Sequence, residues 1–373
     1  MEIPTLSGVQ AGPITKILTI IGTRPELIRL SVIIKKLDYI FGPNHILVWT
    51  NQNYDRNLSG IFFSELGIKA PDYILHADAR EGTIAFIAEA FKEFEIILNS
   101  EKPDKVLILG DTNSSLLAIV AAKLGFPVYH MEAGNRCFNT ETPEEINRRM
   151  IDSVSHVNLP YTQNSMDNLL REGYHRNSVF KIGNPLSEVL GNFHKEINAS
   201  QVLDIVKVSP KDYVLLSLHR SENVDNCSRL EEIISAINFI ASSTKVVFSV
   251  HPRTKSKIDK YGISLSSNII CIEPVGLFDF VKLERSARLI MSDSGSVPEE
   301  GAIFGVPTII LRKTCERQEL LDCGSVILAG VEFTDIINAF RVSMKIKQTS
   351  WSLPMDYCNN FVSDTVIKIL SGH

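Results

Sequence analysis

The sequence predicts an α/β protein built from two doubly wound, Rossmann-like domains facing a cleft, and three observations lead there. Short β-rich apolar runs alternate with helical patterns almost from end to end, which means parallel sheets with helices on both faces. The alternation falls into two series that meet near Gly183-Asn184-Pro185. At 373 residues the chain also exceeds one ordinary domain, so two are expected.

In the first series the strand candidates are Ile17–Ile21, His45–Trp49, Lys105–Leu109, Val128–Met131, His156–Leu159 and Val179–Ile182. The second series runs through Tyr213–Ser217, Lys245–Val250, Asn268–Ile272, Leu289–Met291, Thr308–Leu311 and Val326–Leu328. Helical patterns lie between them at Glu26–Leu37, Leu58–Leu66, Thr83–Leu98, Ser115–Leu124, Pro143–Val154, Leu230–Ala241, Val297–Phe304 and Phe333–Lys345. The expected division is residues 1–183, residues 184–354 with the polar segment His194–Lys211 as connection, and a C-terminal segment 355–373. The helix of that last segment, about Asn359–Leu370, follows Pro354 and is expected to pack back on the first domain. Ligands of open sheets bind outside the strand C-termini, so two facing domains put the expected site in the cleft between them.

Composition narrows the function classes. The hydrophobic fraction of 44 % and charged fraction of 22 % are those of a soluble globular protein. A net charge of −5 argues against a nucleic-acid partner. The N-terminus lacks a basic region, and its apolar run ILTII is too short for a signal or a membrane span. The expectation is a cytoplasmic protein without a membrane partner. Six cysteines are scattered with no C-x-x-C and no Cys/His cluster at zinc spacing, so no metal site is expected. Cys137 alone lies in an acid-rich loop, where it reads first as a packing residue.

The most informative stretch is HMEAGNRCFNTETPEEINR, from His130 to Arg148. An apolar run delivers His130, Glu132 and Gly134 at a strand end, and Pro143 opens a helix carrying Glu144 and Glu145, then Asn147 and Arg148. Acids there, with a cation one helical turn from Glu144, are the raw material of proton transfer. A helix start decorated for its dipole accounts for Glu145, but not for the acid at the strand end.

Other strand ends carry matching equipment. Gly22-Thr23-Arg24-Pro25-Glu26 holds a T-x-x-E capping box, with Arg24 at the positive end of a helix and Arg29 five residues on. That arrangement suits an anion such as a pyrophosphate. No G-x-G-x-x-G surrounds Gly22 and no G-x-x-x-x-G-K-[ST] exists in the chain, which weakens dinucleotide and P-loop readings. Asp111, in Gly110-Asp111-Thr112-Asn113-Ser114-Ser115, reads equally as an N-cap or as a functional acid. In the second series His219-Arg220 and His251-Pro252-Arg253 each follow a strand, a pattern that fits a polyanion. Small residues at Ser294-Gly295-Ser296 let backbone N–H groups reach a phosphate, Glu300 is placed to accept from ribose hydroxyls, and Arg312 and Arg317 flank the next loop.

Taken in order, GTRPE, GDTNS, HMEAGNRCF…PEEINRR, GNP, HRSEN, HPRT and SDSG…EE resemble the non-hydrolysing UDP-N-acetylglucosamine 2-epimerases, from Lys16 to the C-terminal helix. The resemblance implies a glycosyltransferase-B-like fold, a homodimer, a UDP-sugar substrate and no cofactor. It implies inversion at C2 of a UDP-linked 2-acetamido sugar, through UDP and a 2-acetamidoglycal held on the enzyme, for surface polysaccharide precursors. Asp111, Glu132 and Glu144 match the family's acid/base carboxylates, and His219 its catalytic histidine. Arg24, His251, Phe280, Ser294, Glu300 and Arg317 match positions that contact the nucleotide. Arg29, Arg148, Asn184, Arg220, Gly295 and Ser296 complete the expected substrate-binding set.

Several positions depart from the pattern. Arg29 stands for a Lys, Val275 for a Gln, and Ser296 with Pro298 for the Gly-Gln of S-G-G-x-Q-E-E. Gln52-Asn53-Tyr54-Asp55 replaces a Gln-His motif linked to activation by substrate, so that regulation is not carried over. With GNRCF and NLPYT, these changes resemble the branch that converts UDP-2-acetamido-2,6-dideoxy-L-talose to the L-fucosamine sugar. Three competing readings are a glycosyltransferase of the same architecture, a hydrolysing epimerase and a non-catalytic sensor. The acid set tells against a transferase or a sensor, which has no need of Asp111, Glu132 and Glu144 together, whereas a hydrolysing epimerase differs in whether water reaches the glycal.

Overall fold

Apolar runs that are buried on both faces form the strands of two parallel sheets. The computed structural model describes residues 15–372 except 53–62, 79, 81, 141 and 347–350. The first sheet holds β1 (Ile17–Ile21), β2 (His45–Trp49), β3 (Tyr73–Ile74), β4 (Lys105–Leu109), β5 (Val128–Met131) and β6 (Val157–Leu159). Its order is β3-β2-β1-β4-β5-β6, and every pairing is parallel. Around it lie α1 (Arg24–Phe41), α2 (Thr83–Glu101), α3 (Leu117–Lys123), α4 (Pro143–Val154) and α5 (Gln163–Arg171). Helix α1 starts with the capping box read in the sequence, Thr23 taking the N3 backbone and Glu26 returning to the N-cap. It buries Leu27, Leu30, Ile33, Ile34 and Leu37, a helical spacing in which each side chain contributes about 1.5–3 kcal/mol.

The second sheet holds β7 (Tyr213–Leu218), β8 (Lys245–Val250), β9 (Ile269–Ile272), β10 (Leu289–Ser292), β11 (Thr308–Ile310) and β12 (Val326–Leu328), in the order β12-β11-β10-β7-β8-β9. Its helices include α6 (Cys227–Ala241), α7 (Pro252–Tyr261), α8 (Leu277–Ser286), α9 (Val297–Phe304) and α10 (Phe333–Lys345). Counted from its own first strand, each sheet reverses direction between its first and fourth strands, the topological switch point of a Rossmann fold. The switch points are therefore β1/β4 and β7/β10, and the strongest sequence motifs sit just beyond those strands.

By contacts the chain separates into two units. One takes in residues up to Gly134, Thr140–Ile182 and the segment from Phe361; the other takes in Asn135–Asn139 and Gly183–Asn360. The C-terminal helix α11 (Val362–Gly372) belongs to the first unit. It buries Val362, Val366 and Leu370, and it is pinned by Lys36 Nζ to Asp364 Oδ1 at 2.5 Å and by Lys105 Nζ to the Leu370 carbonyl at 2.6 Å.

Three expectations need correction. Val179–Ile182 is not a strand but an isolated parallel bridge between Val179 and Asn158. Phe180 and Ile182 donate to the carbonyls of Asn158 and Pro160, and Pro160 has no N–H to return, so the ladder stops there. His194–Lys211 is not a bare connector, because it forms the helices His194–Ala199 and Val202–Val206 within the second unit. Helices α5, α7 and α8 were not expected. Helix α7 carries only Thr254 and Ile258 as buried residues, too few for a legible period. The expected helix Leu58–Leu66 lies mostly outside the described residues, as do Asn53, Tyr54 and Asp55.

Candidate active site

In the first unit the loops after β1 and β4 are laced together by buried polar groups. Glu26 is 3 % exposed. Its Oε2 accepts from the backbone N–H of Gly22 at 2.7 Å and of Thr23 at 3.2 Å, while Oε1 accepts from Thr112 Oγ1 at 2.7 Å. One carboxyl thus joins the Arg24 loop to the Asp111 loop. Gly22 is obligatory here, since a Cβ would meet Ser114 Oγ at 1.9 Å and Thr50 Oγ1 at 2.4 Å.

Burial pushes Glu26 up from 4.5 to about 7, against hydrogen bonds that lower it. Its folded value thus lies above the unfolded one, so the native state binds the extra proton between those two values. Glu26 therefore contributes stability that is present at acidic pH and is lost as pH rises towards and through 7. The difference is on the order of 3 kcal/mol. In Glu26→Gln the amide oxygen still accepts from the loop N–H groups and its NH₂ can donate to Thr112, so that slope should vanish. Urea unfolding on the acid and alkaline sides of this window checks it. Parallel pH profiles for wild type and variant would sink the assignment.

The acid cluster lies across β4, β5 and α4. Arg148, buried, donates from Nε to Asp111 Oδ2 at 3.0 Å and pairs with the same oxygen through a terminal nitrogen. Asn147 Nδ2 donates to the Asp111 carbonyl at 2.9 Å. Burial raises Asp111 above the ordinary carboxylate range, the Arg148 charge opposes the rise, and the charges of Glu132 and Glu144 add to it. Asp111 is therefore no simple N-cap; it faces both of the other expected acids. Glu132 holds a left-handed backbone, φ 68°, which a non-glycine residue rarely adopts and which stores strain at this strand end. Its Oε2 lies 3.9 Å from Arg29 Nε, and both side chains are buried. Glu144 is half-buried in the first turn of α4, and Arg24 is half-buried at the start of α1.

His130 takes no part in this cluster. It is fully buried, with Nδ1 2.9 Å from Asp152 and Nε2 2.9 Å from the Gly110 carbonyl, so it fixes the two strand ends. Gly134 closes the same corner at φ 77°, where a Cβ would sit 2.2 Å from the Ser165 carbonyl.

In the second unit Asp293, fully buried after β10, organises the expected polyanion loop. It accepts from the backbone N–H of His219 at 3.0 Å and of Arg220 at 3.1 Å, and from Asn223 Nδ2 at 3.1 Å. His219 Nδ1 lies 3.5 Å from Asp293, and the rings of His219 and His251 are 6.4 Å apart. Desolvation holds His219 below its usual value, aided by Arg220, His251 and Arg312 and opposed by Asp293. His251 is lowered by desolvation and then by Arg253. Both rings are thereby biased to the neutral form.

Ser294, Gly295 and Ser296 precede α9 and are half-buried, with Arg220 reaching to within 3.6 Å of a Cβ built on Gly295. Glu300 is buried one turn into α9. Its neighbour Glu299 is a hub: Oε1 accepts from Asn184 Nδ2 at 2.6 Å, Arg317 Nε at 2.9 Å and the Tyr357 hydroxyl at 3.2 Å. Asn184 and Arg317 are thus brought together on a buried carboxylate. Arg312 makes a bidentate pair with Glu316, both bonds 2.9 Å, and its Nε reaches Glu222 at 3.3 Å. Phe280 and Val275 are partly buried against the apolar cluster that includes Tyr213 and Leu215 of β7 and Ile290 of β10.

Sequence reasoning missed three residues that organise the sites: Glu145, Asp293 and Glu299. Glu145 is no dipole ornament. It is fully buried and accepts from Arg148 at 3.1 Å and Arg149 at 3.0 Å. Its spacing of three and four residues before two arginines was the available signal.

Two switch points equipped in this way define an α/β enzyme of the glycosyltransferase-B-like kind, with acids gathered in one Rossmann-like unit and cations and small residues in the other. The model of the family described as UDP-N-acetylglucosamine 2-epimerase matches residues 41–371, and the chain belongs to that family. It is an isomerase, a carbohydrate epimerase by type. It is 39 % identical over 368 residues to the UDP-N-acetylglucosamine 2-epimerase of Methanocaldococcus jannaschii, covering 95 % of this chain and 99 % of that one. It is 37 % identical to the UDP-2,3-diacetamido-2,3-dideoxy-D-glucuronate 2-epimerase of Pseudomonas aeruginosa, covering 88 % and 92 %. The crystal structure of the M. jannaschii enzyme in complex with UDP-GlcNAc and UDP superposes with a TM-score of 0.89 at 37 % identity, over 96 % of this chain and all of the other. The Neisseria meningitidis enzyme bound to UDP-GlcNAc gives 0.87 at 27 % identity, over 96 % and 100 %. Among the described residues no helix is long and apolar enough to cross a membrane.

Proposed function

We propose that this enzyme inverts C2 of a UDP-linked 2-acetamido sugar, UDP-N-acetylglucosamine in the first instance, by elimination and re-addition of UDP. The observation that carries the reading is the meeting of Asp111, Glu132 and Glu144 beside Arg148: burial raises Asp111, and the charges of Glu132 and Glu144 add to the rise. One carboxylate takes the C2 proton, the C2–H electron pair becomes the C1–C2 double bond, and UDP leaves with the C1–O pair. In the return step a UDP oxygen attacks C1 and a second acid protonates C2 from the opposite face. The C2–H is not acidic by itself, so departure of the diphosphate must be assisted by cations, neutral side-chain donors and backbone N–H groups. Arg24, His219, Arg220, His251, Arg317 and the Ser294-Gly295-Ser296 helix start are assigned to that work, and Glu300 to the ribose. Burial, with the added charges of Glu132 and Glu144, raises Asp111 and so favours its protonated form, against the opposing charge of Arg148.

The test is turnover of UDP-GlcNAc by the purified protein in D₂O without any acceptor, followed by proton NMR. Deuterium should appear at C2 of the product. Retention of the original hydrogen, or a demand for an acceptor, would overturn the reading in favour of another epimerisation route or a transferase.

Arg317 gives a second, binding test. Replacing it by Ala should weaken UDP by about 1.5–3 kcal/mol, the range for a charged hydrogen bond. Because Glu299 would be left buried without its cation, Arg317→Ala with Glu299→Gln serves as the folded control. Calorimetry giving equal UDP affinity for wild type and both variants would refute the placement.

A second substrate reading rests on Arg29, Asn53, Val275 and Ser296, which depart from the UDP-GlcNAc pattern towards the L-sugar branch. Arg29 lies beside Glu132, where it would touch the reacting ring. On this reading the 6-deoxy-L-talosamine or L-fucosamine nucleotide is turned over with higher kcat/KM than UDP-GlcNAc. A higher value for UDP-GlcNAc in side-by-side assays removes this branch and leaves the epimerase reading standing. The proposal extends to a cytoplasmic homodimer supplying surface polysaccharide precursors. Support for self-association comes from α2, which exposes Ile84 by 78 % and Ile96 by 69 %.

A further inference from the structure

The geometry points to Glu145 as a positioning residue for the reacting acids: acting through Arg148, it sets where the Asp111 carboxyl stands and how much positive charge that carboxyl meets. The inference rests on the proton-transfer reading above and names a residue outside the family's matched acids.

The carboxyl of Glu145 is 1 % exposed and the guanidinium side chain of Arg148 only 4 %. Arg148 Nη1 donates to Glu145 Oε2 at 3.1 Å, while Nε and Nη2 are turned to Asp111 Oδ2. A planar guanidinium cannot rotate on one side without moving on the other, so the Glu145 bond fixes the plane in which Arg148 meets Asp111. The second oxygen of Glu145 holds Arg149 Nε at 3.0 Å, and that side chain is 45 % exposed. Glu145 is itself held by its own N–H on the Thr142 carbonyl at 3.0 Å.

Charge follows the same path. Asp111 faces Arg148 and Glu144 from α4 and Glu132 from the turn after β5; Glu132 is in turn 3.9 Å from Arg29 of α1. Glu26 of α1 bonds the adjacent Thr112, and Asn113 shares Asn147 with the Asp111 carbonyl. Within this set Glu145 is the acid that offsets Arg148 from the side away from Asp111. Without it the guanidinium acts on Asp111 with its full charge, which favours the ionised carboxyl.

The experiment measures kcat and KM for UDP-GlcNAc across pH with the full chain. Glu145→Gln keeps the shape and one accepting oxygen but removes the charge. It should lower kcat on the order of 10- to 100-fold, since small misplacements of a reacting group cost about that much, with KM within about threefold of wild type. The limb of the kcat/KM profile that reports Asp111 should move to lower pH. Glu145→Asp keeps the charge and shortens the reach, so it should restore the position of the limb while kcat stays reduced. Arg149→Ala should leave both unchanged. Wild-type kcat and profile in Glu145→Gln, or the same losses in Arg149→Ala, would overturn the inference. Should Glu145→Gln not fold, Glu145→Asp decides: reduced kcat at unchanged KM supports the role, and wild-type kcat refutes it. Absence of deuterium at C2 with the wild type would overturn the proton-transfer reading and this inference together. Deuterium incorporation with an unaltered Glu145→Gln would overturn this inference alone.

Discussion

Replacing Glu132 or Glu144 by Gln should lower kcat on the order of 10²–10⁴, the usual contribution of a positioned acid or base. The substitution keeps shape while removing the proton that the proposed C2 chemistry moves. In Glu132→Gln the left-handed backbone and the contact distance to Arg29 are retained in form, so the loss reads on the proton rather than on packing. Glu144 is half-buried and its charge is one of those that raise Asp111, so its removal should also shift the pH profile of what activity remains. If one acid serves elimination and the other return, UDP and a 2-acetamidoglycal should leak from one variant and not from the other. Stopped assays with product analysis read both effects. Full activity in either variant would end the assignment of that residue, and full activity in both would end the elimination–addition mechanism for this enzyme.

Removing the carboxyl of Asp293 should destabilise the protein by roughly 3–5 kcal/mol, the cost of deleting one partner of a buried charged network. Asp293 is fully buried and accepts from two successive backbone N–H groups and from Asn223, which itself donates to the Leu311 carbonyl at 2.9 Å. Asp293→Ala strands those donors and frees the His219-Arg220 loop from β10. UDP affinity should then fall at least tenfold even where the variant remains folded, because the expected diphosphate contacts lose their placement. Asp293→Asn keeps one accepting oxygen and should cost less. Urea unfolding and calorimetry with UDP check both, and a loss below about 1 kcal/mol in Asp293→Ala would show that the loop stands without this anchor.

The regions legible in the sequence were those governed by local pattern. The core runs of β1, β2, β4, β5, β8 and β12 are mainly apolar segments bounded by turn signals, and their spans agree with expectation. The Thr23/Glu26 capping box and the Pro143 start of α4 were equally plain. Two-residue β3 and the polar helices α5 and α7 were not, because neither length nor period distinguished them from loop. The bridge at Val179 depended on which neighbour its backbone found, and that neighbour carried Pro160.

Residue chemistry at the strand ends was determined by the sequence alone: which acids, cations and small residues are present, and that they follow strands and open helices. Pairing was decided only by the tertiary structure. Arg148 reads from sequence as a cation beside the helix-start acids, and only the fold shows its guanidinium turned to Asp111, 37 residues away. Asp293 reads as the start of a small-residue loop, yet it holds the backbone of His219, 74 residues away. Glu299 joins Asn184, Arg317 and Tyr357 from three separate segments. A buried charge must find its partner within a few ångströms, where weak screening makes the interaction strong. Chain order carries no record of that distance, so the positions of Glu145, Asp293 and Glu299 became legible only when the two switch points were folded.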